Sequence, residues 1–192
     1  MSHLYWHRGL VVINEDFRKL YLIRDKISGE ETDRLFCLLG GTLGNYNERE
    51  IIEPISNELS DKDYLLVGVD LIGGRSDENL KAAYDSVYNR DFLFVPLSEI
   101  GYEFKRASFE CSIDSEMTSD VPGSKTISSW FTLEDSRKIR AAVSTKYDIE
   151  ALKAYFQSKF AFRILKDAIN ETGDYALLLM GKSRPQGMGK NV

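Results

Sequence analysis

The stretch LLGGTLGNYNERE, residues 38–50, decides how the chain is read. A run of apolar residues stops on Gly40 and Gly41, adds Gly44, and opens at once into a segment where Ile51, Ile52, Ile55 and Leu59 recur at helical spacing. Read as strand, bare turn and helix, it puts Gly40 and Gly41 at the carboxyl edge of a sheet, where open α/β folds bind ligands. Missing side chains let a ligand approach the main chain closely. A plain tight turn uses the same two glycines, so spacing alone leaves both uses open.

The pattern extends in both directions. Residues 10–13, 35–39 and 64–71 are short, nearly continuous apolar runs suited to parallel strands covered on both faces. Between the second and third lies a helix from about Glu48 to Leu59, with Asn47 and Glu50 spaced as a capping box. Ser76 caps a second helix running through Tyr88, with Leu80, Ala83, Tyr84 and Val87 on one face and a turn at Asn89-Arg90. From Phe104 the pattern becomes antiparallel, in FKRASFECSI, KTISSWFTL and RKIRAAVST. Asp148 caps a third helix, and residues 160–169 and 175–180 form a closing hairpin. The expected fold is α/β: parallel strands ending in an antiparallel hairpin, with an antiparallel β insertion over about residues 104–146. Residues 1–182 read as a single domain and 183–192 as a flexible polar tail.

Composition narrows the function classes. At 192 residues, 43% apolar and 29% charged, the chain has enough material for one packed domain. A net charge of −5 without a basic cluster argues against a nucleic-acid partner. No apolar stretch approaches the roughly 18 residues that span a bilayer, so no membrane association is expected. Cys37 and Cys111 show neither metal spacing nor a disulfide framework, and the expected setting is cytoplasmic. GGTLGN has neither the GxxxxGK[ST] nor the GxGxxG order, and both histidines, His3 and His7, lie near the start. Triphosphate chemistry, serine hydrolysis and metal-dependent hydrolysis lack their usual parts, and no metal site is expected.

LLGGTLGNYNERE resembles a segment of the histidine-specific S-adenosylmethionine-dependent methyltransferases, a family that includes the histidine methyltransferase of ergothioneine synthesis. Four further stretches fit in the same order: NEDF (14–17), LLVGVD (65–70), AAYDS (82–86) and VSTKYDIEAL (143–152). The likeness covers roughly residues 10–181, and the fold it implies is a Rossmann-like methyltransferase sheet.

The resemblance implies S-adenosylmethionine as cofactor and a small amino-acid-like substrate. It implies that Asp16 and Phe17 lie beside the adenine, one accepting its amine hydrogens and the other stacking. Gly40, Gly41 and Thr42 would pass close to the methionyl part. Asn45 would hold the substrate's α-carboxylate, assisted by Tyr84. Each residue also has an ordinary use, as strand end, turn, helix cap or core aromatic. No single catalytic base is nominated, because methyl transfer depends mostly on orientation and proximity.

Two departures shape the expectation. Histidine methylators carry a glutamate and a serine two apart that grip the imidazole. Ser144 keeps the serine, while Ala142 stands in the glutamate's place. Loss of such a polar partner costs about 1–3 kcal/mol of discrimination, which points to a substrate other than histidine. The family's amino-terminal glycine-rich cofactor strand has no counterpart here, so a truncated sheet is expected. Its open edge suggests a dimer, and an assembly module without catalysis is the competing expectation.

Overall fold

The chain folds around a strand–helix–strand unit whose ends are tied by a buried carboxylate. The computed structural model describes residues 5–7, 10–13, 16–23, 33–114 and 119–183. Among the described residues, strands β1 (Tyr5–His7) and β2 (Leu10–Val12) pair only with each other, as an antiparallel ribbon. The run at residues 10–13 is therefore not a strand of the main sheet. An apolar run of that length does not specify which partner it takes.

Strand β3 (Leu35–Leu38) pairs in parallel with β4 (Tyr64–Asp70), and helix α1 (Glu48–Glu58) crosses between them. Asp63, fully buried, accepts from Arg34 N at 3.0 Å, Nε at 3.0 Å and Nη2 at 2.6 Å, and from Ser60 N at 2.7 Å. Burial opposes its ionisation, but these donors outweigh it and hold the carboxyl well below the usual range. Asn47 caps α1 by accepting from Arg49 N at 3.0 Å. Ile51, Ile52, Ile55 and Leu59 are buried as the spacing predicts, each contributing about 1.5–3 kcal/mol of hydrophobic stabilisation.

Ser76 caps α2 (Asp77–Ala82), but the helix stops there instead of reaching Tyr88. Ser86 accepts from Asn89 N at 3.1 Å and starts α3 (Val87–Glu99), while Asn89 Nδ2 donates to Tyr84 O at 2.7 Å. The expected turn at Asn89-Arg90 is thus the first turn of a helix. A second serine cap intervened in what reads as one amphipathic run.

Strands β5 (Ser108–Asp114), β6 (Lys125–Thr132) and β7 (Lys138–Lys146) form the expected antiparallel insertion, with a bulge at Ser129/Trp130. Helix α3 covers one end through Phe94 and Leu97 against Phe131 and Leu133. Helix α4 (Ile149–Phe160), capped by Asp148, leads into the hairpin of β8 (Phe162–Ile169) and β9 (Tyr175–Lys182). The four-stranded sheet has order β3-β4-β9-β8, with β9 antiparallel to β4.

One face of that sheet is the core. Leu65, Val67 and Val69 stand opposite Met180, Leu178 and Ala176 and pack under α1 and α4. The other face is open: Leu35 is 55% exposed, Tyr64 38%, Leu165 38% and Leu177 36%. Strands covered on both faces were expected, yet the apolar run at 35–39 is half exposed, because β3 lies at the sheet's edge.

The two sheets meet at the carboxyl end of β4. Tyr147 N donates to Asp70 O at 3.1 Å and Ile72 N to Tyr147 O at 2.9 Å. Tyr147 Oη donates at 2.8 Å to the buried Glu48, which also accepts from Ser119 Oγ at 2.5 Å and Asp120 N at 3.2 Å. Burial, then the Glu48 charge, pushes the Tyr147 phenol far above its usual value. This anchor sets the end of β7 beside the end of β4. Among the described residues, no helix is long and apolar enough to cross a membrane.

Candidate functional site

Past Leu39 the main chain turns through Gly40 (φ 76°) and Gly41 (φ 72°), both left-handed, a conformation costing about 1–2 kcal/mol for a residue with a side chain. Gly44 N donates to Gly41 O at 3.0 Å and closes the 3-10 turn Thr42–Asn45. Thr42 Oγ1 donates to Leu39 O at 3.0 Å, so this hydroxyl is engaged within the turn. A side chain on Gly40 would meet no atom within 4 Å, whereas one on Gly41 would meet Asp70 Oδ2 at 3.1 Å. Gly44 is pressed on β7, where a Cβ would lie 2.5 Å from Thr145 O. Bare main chain therefore faces open space at Gly40 and is backed by β4 and β7. Asn45 is exposed and its amide makes no hydrogen bond among the described residues.

Beside this turn lies a polar cluster. Strand alternation puts Ala142, Ser144 and Lys146 on one face of β7. Lys146 Nζ donates to Asp70 Oδ2 at 2.5 Å, to Tyr84 Oη at 2.5 Å and to Ser144 Oγ at 3.0 Å. Tyr84 Oη donates to Ser144 Oγ at 2.8 Å. A cleft of about 300 Å³ opens over this cluster, walled by Asp70, Arg75, Tyr84, Lys146, Asp174 and Tyr175. Ala142 pairs with Ser129 and presents a methyl group two residues from Ser144. Cys111 is across from Ser129, and burial, with the charge of Asp85 adding, pushes its thiol up.

Asp16 stands at the start of the 3-10 segment Phe17–Ile23, which packs on α1. Its carboxylate accepts from Arg18 Nε at 3.0 Å and Nη2 at 2.9 Å and from Arg18 N at 3.0 Å, and the Arg18 guanidinium holds its pKa down to about 2. Arg18 in turn lies over the Tyr46 ring, 5.9 Å from its centroid, bringing this segment beside the glycine turn. The Phe17 side chain and residues 14 and 15 of NEDF lie outside the described residues.

Sequence reasoning nominated the Gly40–Thr42 turn, Tyr84 and Ser144, and the fold brings the last two into direct contact. It passed over Asp70 and Lys146. The signal was present: Lys146 is two residues from Ser144 in a strand, hence on the same face, and Asp70 ends the buried strand LLVGVD. What it lacked was the pairing of Tyr147 with Asp70 that joins the two.

The sequence profile described as histidine-specific methyltransferase, SAM-dependent, matches residues 8–182. The chain belongs to that family. The cofactor of these histidine-specific methyltransferases is S-adenosylmethionine. Solved structures that the chain resembles include an S-adenosylmethionine-dependent methyltransferase from Clostridium acetobutylicum ATCC 824, at 9% identity over 88% of this chain and 63% of that one, with a TM-score of 0.42. The CcbJ methyltransferase from Streptomyces caelestis is similar at 8% identity, 88% and 62% coverage, and a TM-score of 0.42. The chain thus spans less than two thirds of the length of these structures. No curated protein matches it.

For this methyltransferase family member the fit of the cofactor is tested by the turn itself. The open main chain at Gly40 suits close passage of a methionyl chain, and the left-handed Gly40–Gly41 pair favours glycine over a residue with a side chain there.

Proposed function

We propose that the protein transfers a methyl group from S-adenosylmethionine to a nitrogen of a small amino-acid-like molecule other than histidine. The observation carrying this reading is the bare Gly40–Gly41 turn set against the Asp70–Lys146–Tyr84–Ser144 cluster. Gly40, Gly41 and Thr42 form the floor for the methionyl part, with Asp16 and Phe17 on the adenine side. When bound, the cofactor supplies a sulfonium methyl. Asn45, whose amide makes no hydrogen bond among the described residues, holds the substrate carboxylate, and Ser144, backed by Tyr84, faces the rest of the substrate. These groups orient the acceptor nitrogen for in-line attack, and the proton it loses passes to a weak base or solvent. Ala142 leaves no carboxylate beside Ser144 on β7, which supports a substrate without histidine's second ring N–H.

Titration of the 192-residue chain with S-adenosylhomocysteine tests the reading. Binding that is lost in Gly40→Val supports it. Absence of binding, or binding indifferent to Gly40→Val, refutes it.

A second reading, an assembly module, draws on the open sheet face around Leu35, Tyr64, Leu165 and Leu177. An apolar face of this kind marks an interaction surface, and a second copy of the chain is its proposed cover. A dimer without measurable cofactor binding would favour it. The free thiols of Cys37 and Cys111 suit a reducing, cytoplasmic setting, and the acidic net charge suits a site for small molecules and not for nucleic acid.

A further inference from the structure

Among the described residues Lys146 is the one buried cation, with a side chain 4% exposed. Taking an ammonium out of water is costly unless each N–H finds an acceptor. An ammonium has three. All three are used, on Asp70 Oδ2, Tyr84 Oη and Ser144 Oγ.

That arrangement fixes the direction of every hydrogen around it. The Tyr84 oxygen accepts from Lys146, and its own hydrogen goes to Ser144 Oγ. Ser144 Oγ then accepts twice, from Lys146 and from Tyr84, which fills the two lone pairs a hydroxyl has. Only its own O–H is left to donate. Asp70 sets the pivot, since it grips Lys146 while its carboxylate backs Gly41. Ala142, two residues along the same face, adds no polar group of its own.

Resting on the methyl-transfer reading of this site, we propose that Lys146 is a positioning residue that makes Ser144 an obligate hydrogen-bond donor. The substrate side chain that meets Ser144 accordingly carries a lone-pair acceptor, such as a neutral ring nitrogen, and not an N–H. Tyr84 acts on the substrate through Ser144. A merely structural lysine would affect all ligands alike, whereas a lysine that orients Ser144 governs which ligands are preferred.

The test uses the 192-residue chain and two probes, 3-(4-pyridyl)-L-alanine, whose ring nitrogen accepts, and 4-amino-L-phenylalanine, whose ring amine donates, titrated by NMR. The unaltered chain is expected to bind the pyridyl probe about five- to tenfold more tightly, the value of one hydrogen bond. Ser144→Ala abolishes the preference. Lys146→Met and Tyr84→Phe each reduce it to less than about twofold, because Ser144 regains a free lone pair and can turn. A ¹H–¹⁵N signal from a protected lysine ammonium, absent in Lys146→Met, reports the network directly without any ligand. No difference between the probes in the unaltered chain, a preference untouched by both Lys146→Met and Tyr84→Phe, or absence of the ammonium signal would overturn the proposal. S-adenosylhomocysteine binding is measured separately. A chain that binds it but fails here loses only this inference, and one that passes here without binding it loses only the methyl-transfer reading.

Discussion

Replacing Gly44 by alanine adds one methyl group where the structure has no room for it. The new Cβ would stand 2.5 Å from Thr145 O, about 0.9 Å short of ordinary contact. The obstacle is backbone in a paired strand, not the end of a flexible side chain, so either the turn lifts or β7 shifts. Overpacking of this kind costs about 1–3 kcal/mol. At 2–4 °C per kcal/mol for a chain of this size, a cost near 2 kcal/mol lowers the thermal midpoint by about 4–8 °C. Gly40→Ala is the control. It meets no atom within 4 Å, so it incurs the left-handed backbone cost alone and leaves β7 in place. Differential scanning calorimetry measures the loss, and the amide shifts of Ser144 and Lys146 report the displacement. Gly44→Ala should move those shifts and Gly40→Ala should not. A Gly44→Ala chain with the parent's midpoint to within a degree and unmoved strand signals would show that the turn is not seated on β7. The shared floor of the site would then be lost.

Tyr147→Phe removes the hydroxyl donated to buried Glu48 and should cost about 1.5–3 kcal/mol in urea unfolding; a loss below about 0.5 kcal/mol would mean that Ser119 and Asp120 suffice. Asp63→Ala strands Arg34 and should cost about 3 kcal/mol by the same assay. Because the Asp63 carboxyl is held low when folded, its stabilisation is present above its unfolded value near 3.9 and is lost as pH falls toward the folded value. Asp63→Asn should therefore flatten the acid limb of stability below about pH 4, and an unchanged slope there would contradict the pairing. Leu177→Lys, on the open sheet face, should halve the mass seen by light scattering if a second copy covers it, with stability altered by no more than about 0.5 kcal/mol. An unaltered mass on that substitution would remove the self-association reading.

Helix α1 was legible because Ile51, Ile52, Ile55 and Leu59 repeat on one face after a capping asparagine, and both signals are local. The hairpin β8–β9 and the three insertion strands were legible from alternation and polar turns. The break between α2 and α3 was not, because Ser86 as a cap and Ser86 as a mid-helix residue look alike until Asn89 reaches back to Tyr84. The partner of β2 was not legible either, since three apolar residues fit a ribbon as well as a sheet.

Sequence by itself determined the order and type of most elements, the bare turn at Gly40 and Gly41, and the family, because each is written in neighbouring residues. Only the tertiary structure decided that Asp70, Tyr84, Ser144 and Lys146 form one cluster. These groups are as much as 76 residues apart, and they meet because Tyr147 pairs with Asp70 while its hydroxyl is anchored on a buried glutamate. No periodicity encodes such a meeting, because it depends on how two sheets join and not on the spacing within either.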